Sequence, residues 1–260
     1  MNSGQNPIPC SPTLPIDDAL GVKHYYFALL PYPDQPGLSL NKSVSLKKMR
    51  TVVASSPAVL RYREQYLQRL AHHDRGYMKS VPSTQVNTWV WRENDVNVRH
   101  QPTLRKMLAN LNSQSRFSIS VPCEHGHVAF LKLFLDIPET DLKAELSSRS
   151  DYWCDQLMPV MHDLTVKHIE QINPLANFNV LSPTCIKILQ MVADGDSSQE
   201  ISQKLHLTER GINYHLDRAR VVVGAKNRIH LISLAHRLGV LANRQWDGPN
   251  GESSNAQQVR

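Results

Sequence analysis

The chain has 260 residues, 29 Lys and Arg against 23 Asp and Glu, a formal net charge of +6 and 41% hydrophobic residues. That length suits one large domain or two of about 100–150 residues, and a charged fraction of 20% with ordinary apolar content excludes wholesale disorder and collagen-like repeats. No apolar run approaches the roughly 20 residues a bilayer span needs; the longest candidate, residues 127–137, contains Lys132. The start, residues 1–15, is polar and proline-broken and lacks the apolar stretch of a signal peptide. These features predict a soluble cytoplasmic protein. Cys10, Cys123, Cys154 and Cys185 are widely spaced, offer no metal-ligand pattern and are expected to be reduced thiols.

In chain order, residues 1–20 are rich in Pro, Ser and Asn and are expected to be flexible, with a short helix at most over 14–20. Residues 21–172 mix strand and helix signals. Residues 24–30 (HYYFALL) are a β-rich run ended by Pro31 and Pro33. Ser55, Ser56 and Pro57 open a helix carrying Leu60, Tyr62, Tyr66, Leu67 and Leu70, and Pro102 begins another with Leu104, Leu108 and Leu111 on one face. Residues 117–121 (FSISV) alternate with period two, residues 124–127 (EHGH) read as a turn, and residues 128–135 form the second strand of a hairpin. A long helix is predicted over 141–172, with Pro159 the place for an interruption. Asn173 and Pro174 begin a linker over 173–180, and residues 242–260, without apolar periodicity, are expected to be disordered.

Residues 181–241 carry the most specific pattern. Ser182 and Pro183 read as N-cap and first helical residue; Ile186, Leu189 and Val192 form a buried stripe and Gly195 a left-handed stop. Ser197 and Glu200 read as a capping box for a short helix with Ile201 and Leu205. Thr208 caps a third helix lined by Ile212, Leu216, Ala219 and Val223 and ended by Gly224; Asn227 caps a fourth, closed by Gly239. Four short capped helices with a tight turn between the second and third predict a helix-turn-helix domain whose third helix reads DNA. Its outer face offers Glu209, Arg210, Asn213, Tyr214, Arg218 and Arg220. Arg and Asn suit guanine and adenine edges, while Thr208, Tyr214 and further cations such as Lys226 and Arg228 suit phosphate. Eight cations against five anions leave +3 in this segment, half the excess charge in about a quarter of the length. A plain helical bundle with a basic face is the rival reading.

This segment resembles the DNA-binding domain of the LuxR family of bacterial transcription regulators, through Leu181-Ser182, Gly195, Glu200-Ile201, Leu205, Ile212, His215 and Asn227-Arg228. Cys185 stands where the family has an acidic residue, and Gly211 where it has Thr. A Gly inside a recognition helix costs up to about 1 kcal/mol against Ala, which predicts a helix fully ordered only on DNA. Residues 21–172 resemble the autoinducer-binding domain of quorum-sensing LuxR proteins in the order of their elements. That resemblance implies an α+β sensor domain, an α/β/α sandwich with a central antiparallel sheet, followed by the all-α four-helix domain. It also implies a pocket for an acyl-homoserine lactone or similar signal lined by an aromatic pair, an Asp and a Trp. Asp74 and Trp89, fifteen apart, match in spacing; Tyr62 and Tyr66 match as the pair, with Leu60 a rival register. Tyr62 stands for the family's Trp, Arg75 for a Pro and Ser115 for a Gly. Tyr62 and Tyr66 at helical spacing also read as core packing, Asp74 as a loop or cap residue, and Trp89 as strand core. Lys132, within an apolar strand, reads as a snorkelling edge residue, with a cavity-facing lysine that pairs an acidic ligand group as the alternative.

Partners implied are a pseudo-palindromic duplex site, a small lipophilic signal, a second copy of the chain and RNA polymerase. No catalytic residue, metal or cofactor is expected. The pairs His72-His73 and His125-His127 lack a further ligand at a defined offset, and no nucleophile signature appears. A regulator answering to another signal or to none, and an enzyme with a helical accessory domain, are the competing readings.

Overall fold

The computed structural model describes residues 8–9, 14–15, 21–31, 49, 51–79 and 85–241. The disordered tail expected over 242–260, and most of the flexible segment and short helix expected before residue 21, lie outside them. Six strands form one sheet among the described residues: β1 (Ile8–Pro9), β2 (Val22–Pro31), β3 (Val53–Ala54), β4 (Asn87–Trp91), β5 (Ser115–Cys123) and β6 (His127–Leu135). Their spatial order is β1-β3-β2-β6-β5-β4, antiparallel except for the two-residue β1·β3 pair at one edge. The expected hairpin is β5–β6, closed by a turn with Gly126 at φ +67°.

Helices cover both faces, so the sheet sits between layers. On one side lie α1 (Pro57–Arg69), α2 (Arg75–Lys79) and α3 (Gln101–Ala109); on the other, α4 (Glu139–Ser148) and α5 (Ser150–Ile172). Successive strand residues point to opposite faces. Tyr25, Phe27 and Leu29 of β2, Phe117 and Ile119 of β5, and Leu131 and Leu133 of β6 therefore pack on Trp153, Leu157 and Leu164 of α5. The opposite face carries Tyr26, Arg116, Ser118, Lys132 and Phe134 toward α1 and α3. This is the expected α/β/α sandwich.

Two expectations are corrected. The helix predicted over 141–172 is broken at Arg149 (φ −135°, ψ 36°), and Pro159 lies inside α5. Ser148 and Ser150 flank the break. Such residues compete for local backbone groups, as the Ser148 hydroxyl does by donating to the Glu145 carbonyl at 3.0 Å. Lys132 is no edge residue: β6 is central, between β2 and β5, and the side chain is 1% exposed.

Residues 173–180 hold α6 (Pro174–Asn177), buried against the sheet. The Asn177 amide pairs both ways with the Thr51 backbone, 2.7 Å in each direction. Four helices follow: α7 (Pro183–Ala193), α8 (Ser198–Leu205), α9 (Glu209–Val223) and α10 (Arg228–Arg237). Ser182, Ser197, Thr208 and Asn227 cap them through side-chain oxygens, and Ser197 and Glu200 complete the capping box. Apolar contact runs without interruption from Ala28, Val128 and Phe130 of the sheet through Leu175 and Phe178 to Ile188, Leu216 and Leu231 of the helical domain.

The end of α10 seats on the β5–β6 hairpin. His127 Nε2 and Asn173 Nδ2 both donate to the Leu238 carbonyl, at 3.0 and 2.7 Å, and His125 Nδ1 lies 3.2 Å from the Arg237 carbonyl. Gly239 (φ +65°) is required there, because a Cβ would stand 2.9 Å from Ile169 Cγ1. His127 is fully buried, its Nδ1 has no partner, and burial pushes its pKa down to about 4. The unfolded chain takes up a proton near 6.5 that the folded protein refuses until about 4. Stability is therefore lost as pH falls through that window, by at most about 1.4 kcal/mol per pH unit from this one group. Denaturant unfolding at pH 7 and pH 5 should show a smaller pH loss in His127→Gln than in wild type; equal losses would remove His127 as the cause.

Candidate functional sites: a charged aromatic cluster and a helix-turn-helix face

On the inner face of the sheet, cross-strand register sets Tyr26, Lys132, Ser118 and Trp89 in one row and Phe134, Arg116 and Trp91 in the next. Helix α1 brings Tyr62 and Tyr66 onto this lattice, their rings stacked at 5.9 Å. The loop between α1 and α2 adds Asp74, 3% exposed. Tyr66 Oη donates to Asp74 Oδ2 at 2.6 Å and the Gly76 amide to Asp74 Oδ1 at 2.8 Å. Gly76 permits the approach of Asp74 to Trp89, since a Cβ there would lie 3.0 Å from Asp74 Oδ1 and 3.1 Å from Trp89 Nε1. All four sequence-predicted pocket residues, Tyr62, Tyr66, Asp74 and Trp89, thus meet in one cluster.

Sequence reasoning missed Arg116 beside them and held a cavity-facing Lys132 only as the alternative reading. Arg116 is 1% exposed; its Nη1 donates to Tyr62 Oη at 3.2 Å and lies 3.9 Å from Asp74 Oδ2. Lys132 Nζ stands 3.3 Å from the centroid of Trp91 and 5.0 Å from that of Tyr66. The Trp91 indole donates to Ser118 Oγ at 3.0 Å. Burial and then the Arg116 charge press Lys132 well below the ordinary lysine range, with Asp74 opposing. Burial likewise raises the Tyr62 and Tyr66 phenols, so both stay protonated, Tyr66 donating to Asp74 and Tyr62 accepting from Arg116. A cleft of about 320 Å³ between α1 and α3, lined by Ala58, Tyr62, Gln65, Met107 and Leu111 among others, opens beside the cluster.

In the C-terminal domain α8 and α9 are joined by a turn in which His206 adopts a left-handed conformation (φ 53°). Ile212, Leu216 and Ala219 bury one side of α9, leaving Glu209, Arg210, Asn213 and Tyr214 exposed on the other, Tyr214 at 61%, with Arg218 on the flank. Thr208 Oγ1 accepts from the Gly211 amide, which puts Gly211 in the first turn. The cap thus satisfies the turn that the glycine would weaken, and α9 runs unbroken from Glu209 to Val223. Ser198 Oγ accepts from Arg228 Nη1 at 3.3 Å and lies 3.5 Å from Asn213 Oδ1, tying the starts of α8 and α10 to the outward face of α9. A second cleft, about 420 Å³, has Asn213, Arg220, Lys226 and Arg228 in its lining.

A tetrahelical domain with a capped, outward-facing third helix of this composition defines a helix-turn-helix DNA-binding protein. Residues 179–235 match the family described as bacterial regulatory proteins, luxR family, and this domain is a LuxR-family domain. No curated protein matches the chain. Solved structures similar to it include SdiA of Escherichia coli (15% identity, TM-score 0.38, 87% of each chain covered) and SdiA in complex with octanoyl-rac-glycerol (15%, 0.36, 86% of this chain and 84% of that one). A phage VqmA in complex with DPO is a further one (14%, 0.24, 83% and 84%).

Removing Asp74 would strand buried cations and two donors. Losing one partner of a buried pair costs about 3–5 kcal/mol. Asp74→Ala should therefore lower unfolding free energy by that order, and a loss under 1 kcal/mol would show the cluster to be hydrated instead.

Proposed function

We propose that the protein is a cytoplasmic regulator that binds a pseudo-palindromic duplex site as a homodimer, placing two α9 helices in successive major grooves. RNA polymerase is a further partner on this reading. The observation that carries it is the exposed α9 face bearing Arg210, Asn213 and Tyr214 on a domain whose residues 179–235 match the LuxR family. Arg210 and Asn213 are assigned to base edges, with Thr208, Tyr214, Arg218, Lys226 and Arg228 on phosphates and Glu209 at the first turn. Arg210→Ala or Asn213→Ala should relax preference at one position of each half-site by about 1–3 kcal/mol, while Lys226→Ala weakens all sequences about equally and reduces the salt slope. Competition binding against mutated sites over a salt series distinguishes the two classes; identical behaviour would misplace the reading face.

The sensor domain on this reading answers to a small lipophilic signal, and an acyl-homoserine lactone would engage Tyr62, Tyr66, Asp74 and Trp89. Asp74 would accept the ligand amide through a charge-assisted bond. Asp74→Asn should desensitise the response of DNA binding to N-octanoyl-homoserine lactone about tenfold or more, and Trp89→Phe should also weaken it. A wild type that ignores the lactone would exclude that signal. One observation favours a different ligand class: Asp74 Oδ1 and Oδ2 already accept from Gly76 and Tyr66, with Arg116 3.9 Å away.

A further inference from the structure

The inner face of the sheet is unbalanced in charge. Arg116 and Lys132 lie side by side in its interior, and among the described residues Asp74 is the buried carboxylate that faces them. Asp74 is spent on Tyr66, Gly76 and Arg116. Lys132 is left with the faces of Trp91 and Tyr66 and, on its own row, the phenol-bearing Tyr26 and Ser118. The Ser118 hydroxyl accepts the Trp91 indole N–H and keeps its own hydrogen to donate. Among the described residues this buried ammonium, held by ring faces, has none of the oxygen acceptors that normally compensate its desolvation. Three donors therefore converge from two adjacent strands: the Lys132 amine, the Arg116 guanidinium and the Ser118 hydroxyl. The walls around them are aromatic.

We propose that this site takes an organic acid: a carboxylate against Lys132 and Arg116, carried on an apolar body that lies among Tyr62, Tyr66 and Trp91 toward the α1–α3 cleft. The proposal rests on the reading of this domain as a ligand sensor and names the class of ligand. A carboxylate matches the planar fork of Arg116 and supplies the acceptors Lys132 lacks, whereas a neutral lactone or amide supplies no charge. Asp74 then acts as the counter-charge that holds Arg116 against Tyr62, rather than as the main ligand anchor.

The test is calorimetric titration of the full chain with octanoate, octanamide, 4-phenylbutyrate, 4-phenylbutyramide and N-octanoyl-homoserine lactone, in wild type and Lys132→Met. Methionine keeps the length and removes the charge, so the variant should fold with an unfolding midpoint no lower than wild type. Expected is at least tenfold tighter binding of one acid than of its amide, lost tenfold or more in Lys132→Met with amide binding unchanged. Equal binding of acid and amide, or acid binding that survives Lys132→Met, overturns the proposal. So does a midpoint lowered by 5 °C or more in the variant, which would mean the lysine charge is already compensated within the protein. Lactone binding without acid binding overturns it while leaving the sensor reading standing; no binding of any of the five contradicts both.

Discussion

The molecule is organised by a sheet that is buried on both faces. Once α4 and α5 close one side and α1 and α3 the other, each polar side chain in the middle of β5 and β6 must find its partner inside the protein. Arg116 and Ser118 do so through Asp74, Tyr62 and Trp91, while Lys132 rests on the faces of Trp91 and Tyr66. Asp74 is the point on which that arrangement turns, since it receives Tyr66, the Gly76 amide and the approach of Arg116 at once. The aromatic residues are suited to this role because their faces attract cations while their bodies fill the interior.

A second constraint joins the two halves. The Leu238 carbonyl, just beyond α10, accepts from both His127 at the start of β6 and Asn173 at the end of α5. The strand that carries Lys132 therefore also carries the group that holds the DNA-binding domain. Between them lie Val128, Ala129, Phe130 and Leu131, all buried. A shift of β6 on filling the inner face would be felt at Leu238 with little intervening slack, because packed interiors transmit displacement. The exposed face of α9 is supported from within this same domain, through Ser198, Asn213 and Arg228.

Much of this was legible in the sequence, and unevenly so. The helix-turn-helix half declares itself because its signals are local: Ser182, Ser197, Thr208 and Asn227 cap helices whose stripes begin within four residues. The hairpin was legible from the alternation of residues 117–121, but alternation does not say what covers the polar side; the helices packed on both faces of the sheet make Arg116 and Ser118 interior. Lys132 read first as an edge residue, with a cavity-facing lysine as the alternative, since strand order is a non-local property that one apolar run cannot reveal. Tyr62, Tyr66, Asp74 and Trp89 were found through resemblance and spacing; the residues that share their cluster had no spacing signal to find. The break at Arg149 was missed because Pro159 is the louder signal, although the two serines around residue 149 carried the information.

The central claim is that Lys132 lies in the interior beside Arg116, held against the rings of Trp91 and Tyr66 without an anion of its own among the described residues. Its most direct test is NMR titration of the full chain labelled at the lysine side chains, with Lys132 assigned by Lys132→Met. Lys132 should lose its proton well below the ordinary lysine range and recover it when an acid ligand is added. A Lys132 that titrates within the ordinary lysine range would contradict the account.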